Sequence, residues 1–226
     1  DQRKSYDELR EHYRKALLQK IDSDGIGKSQ IVILEALLRL RQAACHPGLI
    51  DKSRTGDGSA KLDELLDRLT SAHESGERVL VFSQFTSLLA IVKDRLKKSK
   101  IDFLYLDGKT KDRQSLVEQF QSGTGPATFL ISLKAGGVGL NLTSARTVYL
   151  LDPWWNPAVE AQAIDRAHRI GQHQTVFATR LIAANTVEQK VLELQSKKKD
   201  LADAIVNADN AGISSLTRED VELLLA

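Results

Sequence analysis

Five short apolar runs, separated by stretches of helical pattern, constrain this chain more than any other feature. They are RVLVFS (78–83), IDFLYL (101–106), ATFLIS (127–132), TVYLLD (147–152) and VFATRLI (176–182). Each is bounded by polar or turn residues and has the length of a buried strand. Helical patterns lie between them at 86–99, 111–122 and 158–168, and Leu62, Leu65, Leu66 and Leu69 make an apolar stripe ahead of the first run. This alternation predicts an α/β fold, a parallel sheet sandwiched by helices, with right-handed crossovers. In such sheets ligands gather outside the carboxyl ends of the strands.

Both flanks read as helix. Tyr6, Leu9, Tyr13 and Leu17 recur at helical spacing over 6–20, and Ile31, Leu34, Leu37, Leu38 and Leu40 mark a second helix over 31–44. The polar stretch DSDGIGKSQ (22–30) separates them, so residues 1–45 predict a helical hairpin. Residues 46–59, HPGLIDKSRTGDGS, are rich in Gly, Ser, Asp and Pro and read as a linker. A body over 60–184 follows, and helices over 185–226 are expected to pack on it. Thr186 with Gln189, and Thr217 with Asp220, have the spacing of helix-start caps. Val187, Val191, Leu194, Leu201 and Ile205 continue the apolar pattern of that tail.

Three segments fall where strands end: SQF (83–85), SLKAGGVGLNL (132–142) and EAQAIDRAHRIGQ (160–172). In the last, Arg166 and Arg169 are three residues apart and Gln162 lies one turn before Arg166, which on a helix places all three on one face. Two guanidiniums and an amide can grip phosphate oxygens and stabilise the charge of a departing γ-phosphoryl group. Ordinary surface arginines on a solvated helix would have the same spacing. Gly136, Gly137 and Gly139 permit positive φ and a close backbone approach to a nucleotide or a nucleic-acid backbone, although a tight turn would use them equally.

Other features narrow the possibilities. GIGKSQ (25–30) has the ending of a phosphate loop, but that loop needs glycine where Asp22 stands and follows a strand, whereas here a helix precedes it. No lysine cradle with a magnesium carboxylate is found elsewhere. The net charge is +2, divided as +2 over 1–45, +3 over 46–184 and −3 over 185–226, so no basic arm is available to coat nucleic acid. Cys45, the sole cysteine, cannot form an internal disulfide, and the scattered histidines do not suggest a metal site. His168 lies between the arginines and is expected to point elsewhere. Asp152 is expected to orient an arginine or cap a turn. There is no methionine, even at position 1, and the expectation is a fragment of a longer protein.

Taken in order, these segments resemble the helicase motifs of the Swi/Snf branch of superfamily two. SQF resembles its fourth motif, LDGKTKDRQ (106–114) its Leu-Asp-Gly segment, SLKAGGVGLNLTSA (132–145) the fifth and QAIDRAHRIGQ (162–172) the sixth, with DPWWNP (152–157) between those two. LRLRQAACHPGLI (38–50) resembles the entry to the second lobe. Asp165 stands where RNA helicases usually carry glycine, and Arg-Ile-Gly-Gln is typical of the Swi/Snf side.

The resemblance implies a second RecA-like lobe at 60–184, preceded by a helical protrusion. It implies ATP with Mg²⁺ held mainly by an absent first lobe, with Arg166 and Arg169 as arginine fingers and Gln162 near the γ-phosphate or the attacking water. Gly137 and Gly139 would border the nucleotide. Double-stranded DNA would be gripped through phosphates by Ser83, Gln84, Lys109 and Lys134 and by amides near Gly108 and Gly136, with Trp155 reaching the minor groove. For Trp154 and Trp155, core packing is the competing reading. The implied activity is a DNA-dependent ATPase driving translocation, inactive without the first lobe, monomeric, in a prokaryotic cytoplasm or, if eukaryotic, a nucleus. An RNA or DNA helicase lobe of a sister branch, or a non-catalytic nucleic-acid-binding module, are the alternatives.

Overall fold

A computed structural model describes residues 1–135, 139–152, 157–197 and 217–226. Its described elements are α1 (Gln2–Asp24), α2 (Ile26–Cys45), α3 (Ala60–Ser75), β1 (Val79–Ser83), α4 (Thr86–Lys98), β2 (Phe103–Leu106), α5 (Arg113–Ser122), β3 (Thr128–Ser132), β4 (Thr147–Leu150), α6 (Pro157–Ile164), β5 (Phe177–Arg180), α7 (Val187–Lys197) and α8 (Arg218–Leu224). They fall into two compact units, one of residues 1–59 with 182–226 and one of residues 60–181.

In the second unit all five expected strands form one sheet in the order β2-β3-β1-β4-β5, with every described pairing parallel. Adjacent parallel strands cannot be joined by tight turns, so each connection must cross a face of the sheet. Alternate residues Leu80, Phe82, Phe129, Ile131, Val148 and Leu150 point to one face, where Val117 and Phe120 of α5 and Ala163 of α6 cover them. On the opposite face α4 packs against β1 and β3, and α3 packs against α4. Central β1 is buried at every position, as expected of a strand covered on both sides. Edge strand β5 is not, and Phe177 is 61% exposed despite the apolar run that announced it. Lys61 is buried and its Nζ donates to Leu151 O at 2.8 Å, just beyond β4.

In the first unit, the expected polar break over 22–30 shrinks to one residue. Gly25 adopts φ 79°, ψ 160°, a region in which a side chain is strained, and helix resumes at Ile26. Gly27-Lys28-Ser29 therefore lies in the first turn of α2, and Ser29 Oγ donates to Gly25 O at 2.9 Å. The segment over 46–59 differs from a loose linker. Its two 3₁₀ turns (Pro47–Leu49 and Lys52–Arg54) wrap the fully buried His46, whose Nδ1 accepts from Gly48 N (2.9 Å), leaving Nε2–H to bond Asp57 O (3.1 Å). Ser59 Oγ closes the segment on Cys45 O at 2.7 Å.

The described closing helices cluster with this same unit. Val187 N donates to Tyr6 Oη (2.7 Å), Cys45 Sγ donates to Glu188 Oε1 (3.4 Å), and Arg218 pairs with Asp22. Glu188 N donates to Thr186 Oγ1 and Asn185 N to Gln189 Oε1, while Thr217 and Asp220 form a reciprocal capping box ahead of α8. Leu194 side-chain packing, Leu201 and Ile205 lie outside the described residues.

Candidate functional site

The arginine segment departs from the expected helix. α6 ends at Ile164, four residues short of the predicted 168, and Arg166 and Arg169 sit in the turns that follow. Those turns are tight: Ala167 N and His168 N both donate to Ile164 O at 3.0 Å, and Gln172 N donates to Arg169 O at 2.9 Å. Beyond them Arg166 O accepts from Leu142 N at 2.9 Å, which ties this stretch to the segment after β3. Buried Ala163 and Ala167 let this stretch lie close to the core.

Gln162, Arg166 and Arg169 nonetheless line one open cavity of about 670 Å³, with Gly139 and Leu140 on its wall. His168 borders the same cavity. Arg169 is exposed, and its Nη1 donates to Gly139 O and Leu140 O, both at 3.4 Å. Gly139 adopts φ 42° with nothing near a would-be Cβ, so glycine serves the backbone conformation there, not close packing.

Arg166 is the unusual member. It is 6% exposed, and its Nε and Nη1 have no hydrogen-bond partner among the described residues. Burial, and then the positive charge of Arg169, hold its pKa below the usual arginine range. An arginine stays charged at neutral pH, so the site carries a desolvated cation, two of whose nitrogens have no partner among the described residues, beside a second one. That arrangement suits a multiply charged anion, whose oxygens would accept the orphaned N–H groups and whose charge would relieve the repulsion.

Around the ends of β1 and β2 the chain builds two further turns. Asp152 is buried and its carboxylate accepts from Gln84 N at 3.0 and 3.3 Å, which places it at the turn after β1, one of its two expected roles. Asp107 shapes the other turn, accepting from Lys109 N (2.8 Å) and Tyr105 Oη (2.9 Å). Burial opposes ionisation of Asp107, but these bonds and those from Thr110 outweigh it and pull the carboxyl below its usual range.

The domain family described as the helicase conserved C-terminal domain matches residues 60–171. An uncharacterized ATP-dependent helicase of Mycoplasma pneumoniae is 40% identical over 198 residues, covering 86% of this chain and 19% of that protein. The C-terminal domain of a SWI2/SNF2 ATPase from Sulfolobus solfataricus superposes with TM-score 0.74 at 29% identity, covering 97% of this chain and 92% of that one. The chain is a C-terminal RecA-like lobe of the Swi/Snf family. A SWI2/SNF2 ATPase core from the same archaeon, solved in complex with double-stranded DNA, gives TM-score 0.80 at 30% identity, covering 99% of this chain and 47% of that chain. The chain thus spans about a fifth of the length of the Mycoplasma relatives it matches (19% and 22%).

The other expected positions of this Swi/Snf lobe divide four ways. Gly108, Lys109 and Lys134 are exposed, free to meet a polyanion. Gln84 is half-buried, and its Nε2 has no partner among the described residues. Ser83 is fully buried, and its Oγ accepts from Phe85 N (3.0 Å) and donates to Phe85 O (3.3 Å), so its hydroxyl builds the entry to α4. Gly136, Gly137, Trp154 and Trp155 lie outside the described residues.

Several residues of the site were not singled out from the sequence. Arg113 ties two of the loops together, Nε donating to Thr110 O and Nη1 to Ala135 O. Lys93 stands 4.0 Å from the ring centre of Tyr105. Arg113 lies inside the LDGKTKDRQ match and was open to notice; Lys93 is one of many lysines on a helix, and only the fold brings it to that ring.

Proposed function

We propose that this lobe completes an ATP site whose phosphate loop and magnesium carboxylates are carried by a first RecA-like lobe, and that it grips one stretch of a DNA duplex. The observation that carries the reading is Arg166: a buried guanidinium with unpaired N–H groups, beside Arg169 and Gln162 in one cavity. Bound ATP supplies a phosphoryl group whose transfer to water spreads negative charge over its oxygens. Arg166 donates to those oxygens from a desolvated setting where its charge is weakly screened. Arg169, exposed and tethered to Gly139 O and Leu140 O, adds a second cation on the same side. Gln162 orients the γ-phosphate or the attacking water by its amide. Gly137 and Gly139 border the nucleotide. No general base on this lobe is required, because positioning and charge stabilisation dominate such transfers.

DNA contact falls to Gln84, Lys109 and Lys134, to amides near Gly108 and Gly136, and to Trp155. The Sulfolobus relative solved with double-stranded DNA supports the choice of duplex. Contacts of this kind read phosphates and carry little sequence preference. Closing and opening of the two lobes around ATP would move one grip relative to the other, which is translocation.

The test joins this chain to its first lobe and measures ATP turnover with duplex DNA. Arg166→Ala and Arg169→Ala are each expected to lower it by about 10³-fold or more. Near-normal turnover in both would refute the arginine role. Stronger stimulation by single-stranded RNA than by duplex DNA would move the lobe to the RNA helicase branch.

A further inference from the structure

Arg166 and Arg169 lie beyond the end of α6, where short backbone turns (Arg166 N to Ala163 O at 3.4 Å, Ala167 N and His168 N to Ile164 O at 3.0 Å) carry the chain, so their aim depends also on ties from outside those turns. Several of these ties run to residues 139–145. Leu142 N holds Arg166 O, and Arg169 Nη1 reaches Gly139 O and Leu140 O at a long 3.4 Å. The remaining tie is Gln172. Its Nε2 donates to Thr143 O (2.8 Å), Ala145 O (3.0 Å) and Ala167 O (3.3 Å), and its Oε1 accepts from Gln174 N (3.0 Å). Three carbonyls on one side of the amide and one N–H on the other fix which end is nitrogen.

The placement of those partners is informative. Ala167 is one of the two residues between the arginines, and Thr143 and Ala145 belong to the segment whose earlier carbonyls receive Arg169. Gln172 N also donates to Arg169 O, so the residue closes the loop just past its tip, where Ile170 is fully exposed and Gly171 turns back at φ 104°. Gln172 itself lines the cavity and is only half-buried.

We propose that Gln172 is a positioning residue: through its side-chain amide it sets the distance between the Arg166–Arg169 loop and the 139–145 segment, and so aims both guanidiniums. The proposal rests on the reading that the arginines act on the γ-phosphate. Misplacement of a transition-state contact by about 1 Å costs on the order of 10²-fold in rate, and Gln172 touches neither phosphate nor DNA in this role.

The experiment uses the full-length protein with saturating duplex DNA. Gln172→Met keeps the length of the stem and removes the amide; Gln172→Asn keeps the amide and draws it back by one methylene. Both are expected to lower kcat by roughly 10- to 100-fold, with KM for ATP and the half-saturating DNA concentration changed by less than about 3-fold, since ground-state binding is spared. In an Arg169→Ala background the same changes are expected to cost less than about 3-fold more, because residues acting as one unit are not additive. Losses that multiply would overturn the proposal, as would unchanged kcat in folded variants when Arg169→Ala is crippled. Loss of the native far-ultraviolet circular dichroism in both variants would also overturn it, since Gln172 would then support the fold and not the loop. If Arg169→Ala and Arg166→Ala leave turnover intact, the arginine reading itself falls, and the inference with it; that result is told apart because it does not involve Gln172.

Discussion

Replacing Arg166 by methionine should make the isolated chain more stable while removing its contribution to a motor. The side chain is 6% exposed, and two of its nitrogens, Nε and Nη1, lack partners among the described residues. A buried donor left unsatisfied costs about 1–3 kcal/mol, more when the group is charged. Taking the low end for each of two donors gives about 2 kcal/mol stored at this position. The nearby positive charge of Arg169 acts in the same direction. Methionine is unbranched and similar in reach, so the packing of the aliphatic stem is largely kept. With a urea m-value of about 2 kcal/mol/M, a gain of about 2 kcal/mol moves the midpoint up by about 1 M. The assay is urea unfolding followed by far-ultraviolet circular dichroism, wild type against Arg166→Met. Pyrophosphate offers a control: it should raise the midpoint of the wild type by mass action and leave that of the variant alone. A variant less stable than wild type by about 1 kcal/mol or more would mean the guanidinium is satisfied by the fold, and the argument for a waiting anion site would fail.

Four further outcomes can be checked. Gly25→Ala should destabilise the helical hairpin by about 1–3 kcal/mol, since φ 79°, ψ 160° is a region open to glycine almost alone; thermal unfolding reads this. Tyr6 is raised to about 12 by burial, so its neutral form is the one the fold prefers. Its contribution should be intact below pH 10 and fade as pH rises from 10 to 12, and Tyr6→Phe should flatten that alkaline loss in a pH series of urea midpoints. Thr217→Ala removes the capping box of α8 and should cost about 1 kcal/mol, seen as faster amide exchange at Asp220 and Val221. Lys109→Ala and Lys134→Ala should each reduce the salt dependence of duplex binding by roughly 0.9 in log–log slope, by fluorescence anisotropy, without altering sequence preference.

Much of this was open to a reader of the sequence, for identifiable reasons. The inner strands β1, β3 and β4 were legible because strands covered on both faces need unbroken apolar runs, and they are buried throughout; edge strand β5 shows an apolar run although it is largely exposed. The capping pairs at Thr186 and Thr217 were legible because they are local chemistry. What escaped depends on partners distant in sequence. Nothing near Ile164 says that the helix gives way to tight turns there, or that Leu142 N, 24 residues earlier than Arg166, bonds the carbonyl of that arginine. The motif SQF does not show that the Ser83 hydroxyl bonds the backbone of Phe85 two residues on. The 46–59 segment looked loose from its Gly, Ser and Pro content; the imidazole of His46, at its centre, was the residue that orders it. Gln172 closes the Arg-Ile-Gly-Gln motif, but its tie to the 139–145 segment was not legible, since the carbonyls its amide reaches there lie 27 and 29 residues away.

Cys45, the single cysteine of the chain, is fully buried against Glu188. A thiol-reactive dye can reach it only when α2 and α7 separate, so the labelling rate is a clock for local opening of that unit. Under native conditions the wild-type thiol should stay silent on the timescale of ordinary conjugation. A cysteine introduced at an exposed position such as Ile170 could then carry a fluorophore without removing the natural one, and two such probes would allow distance changes during turnover to be followed directly.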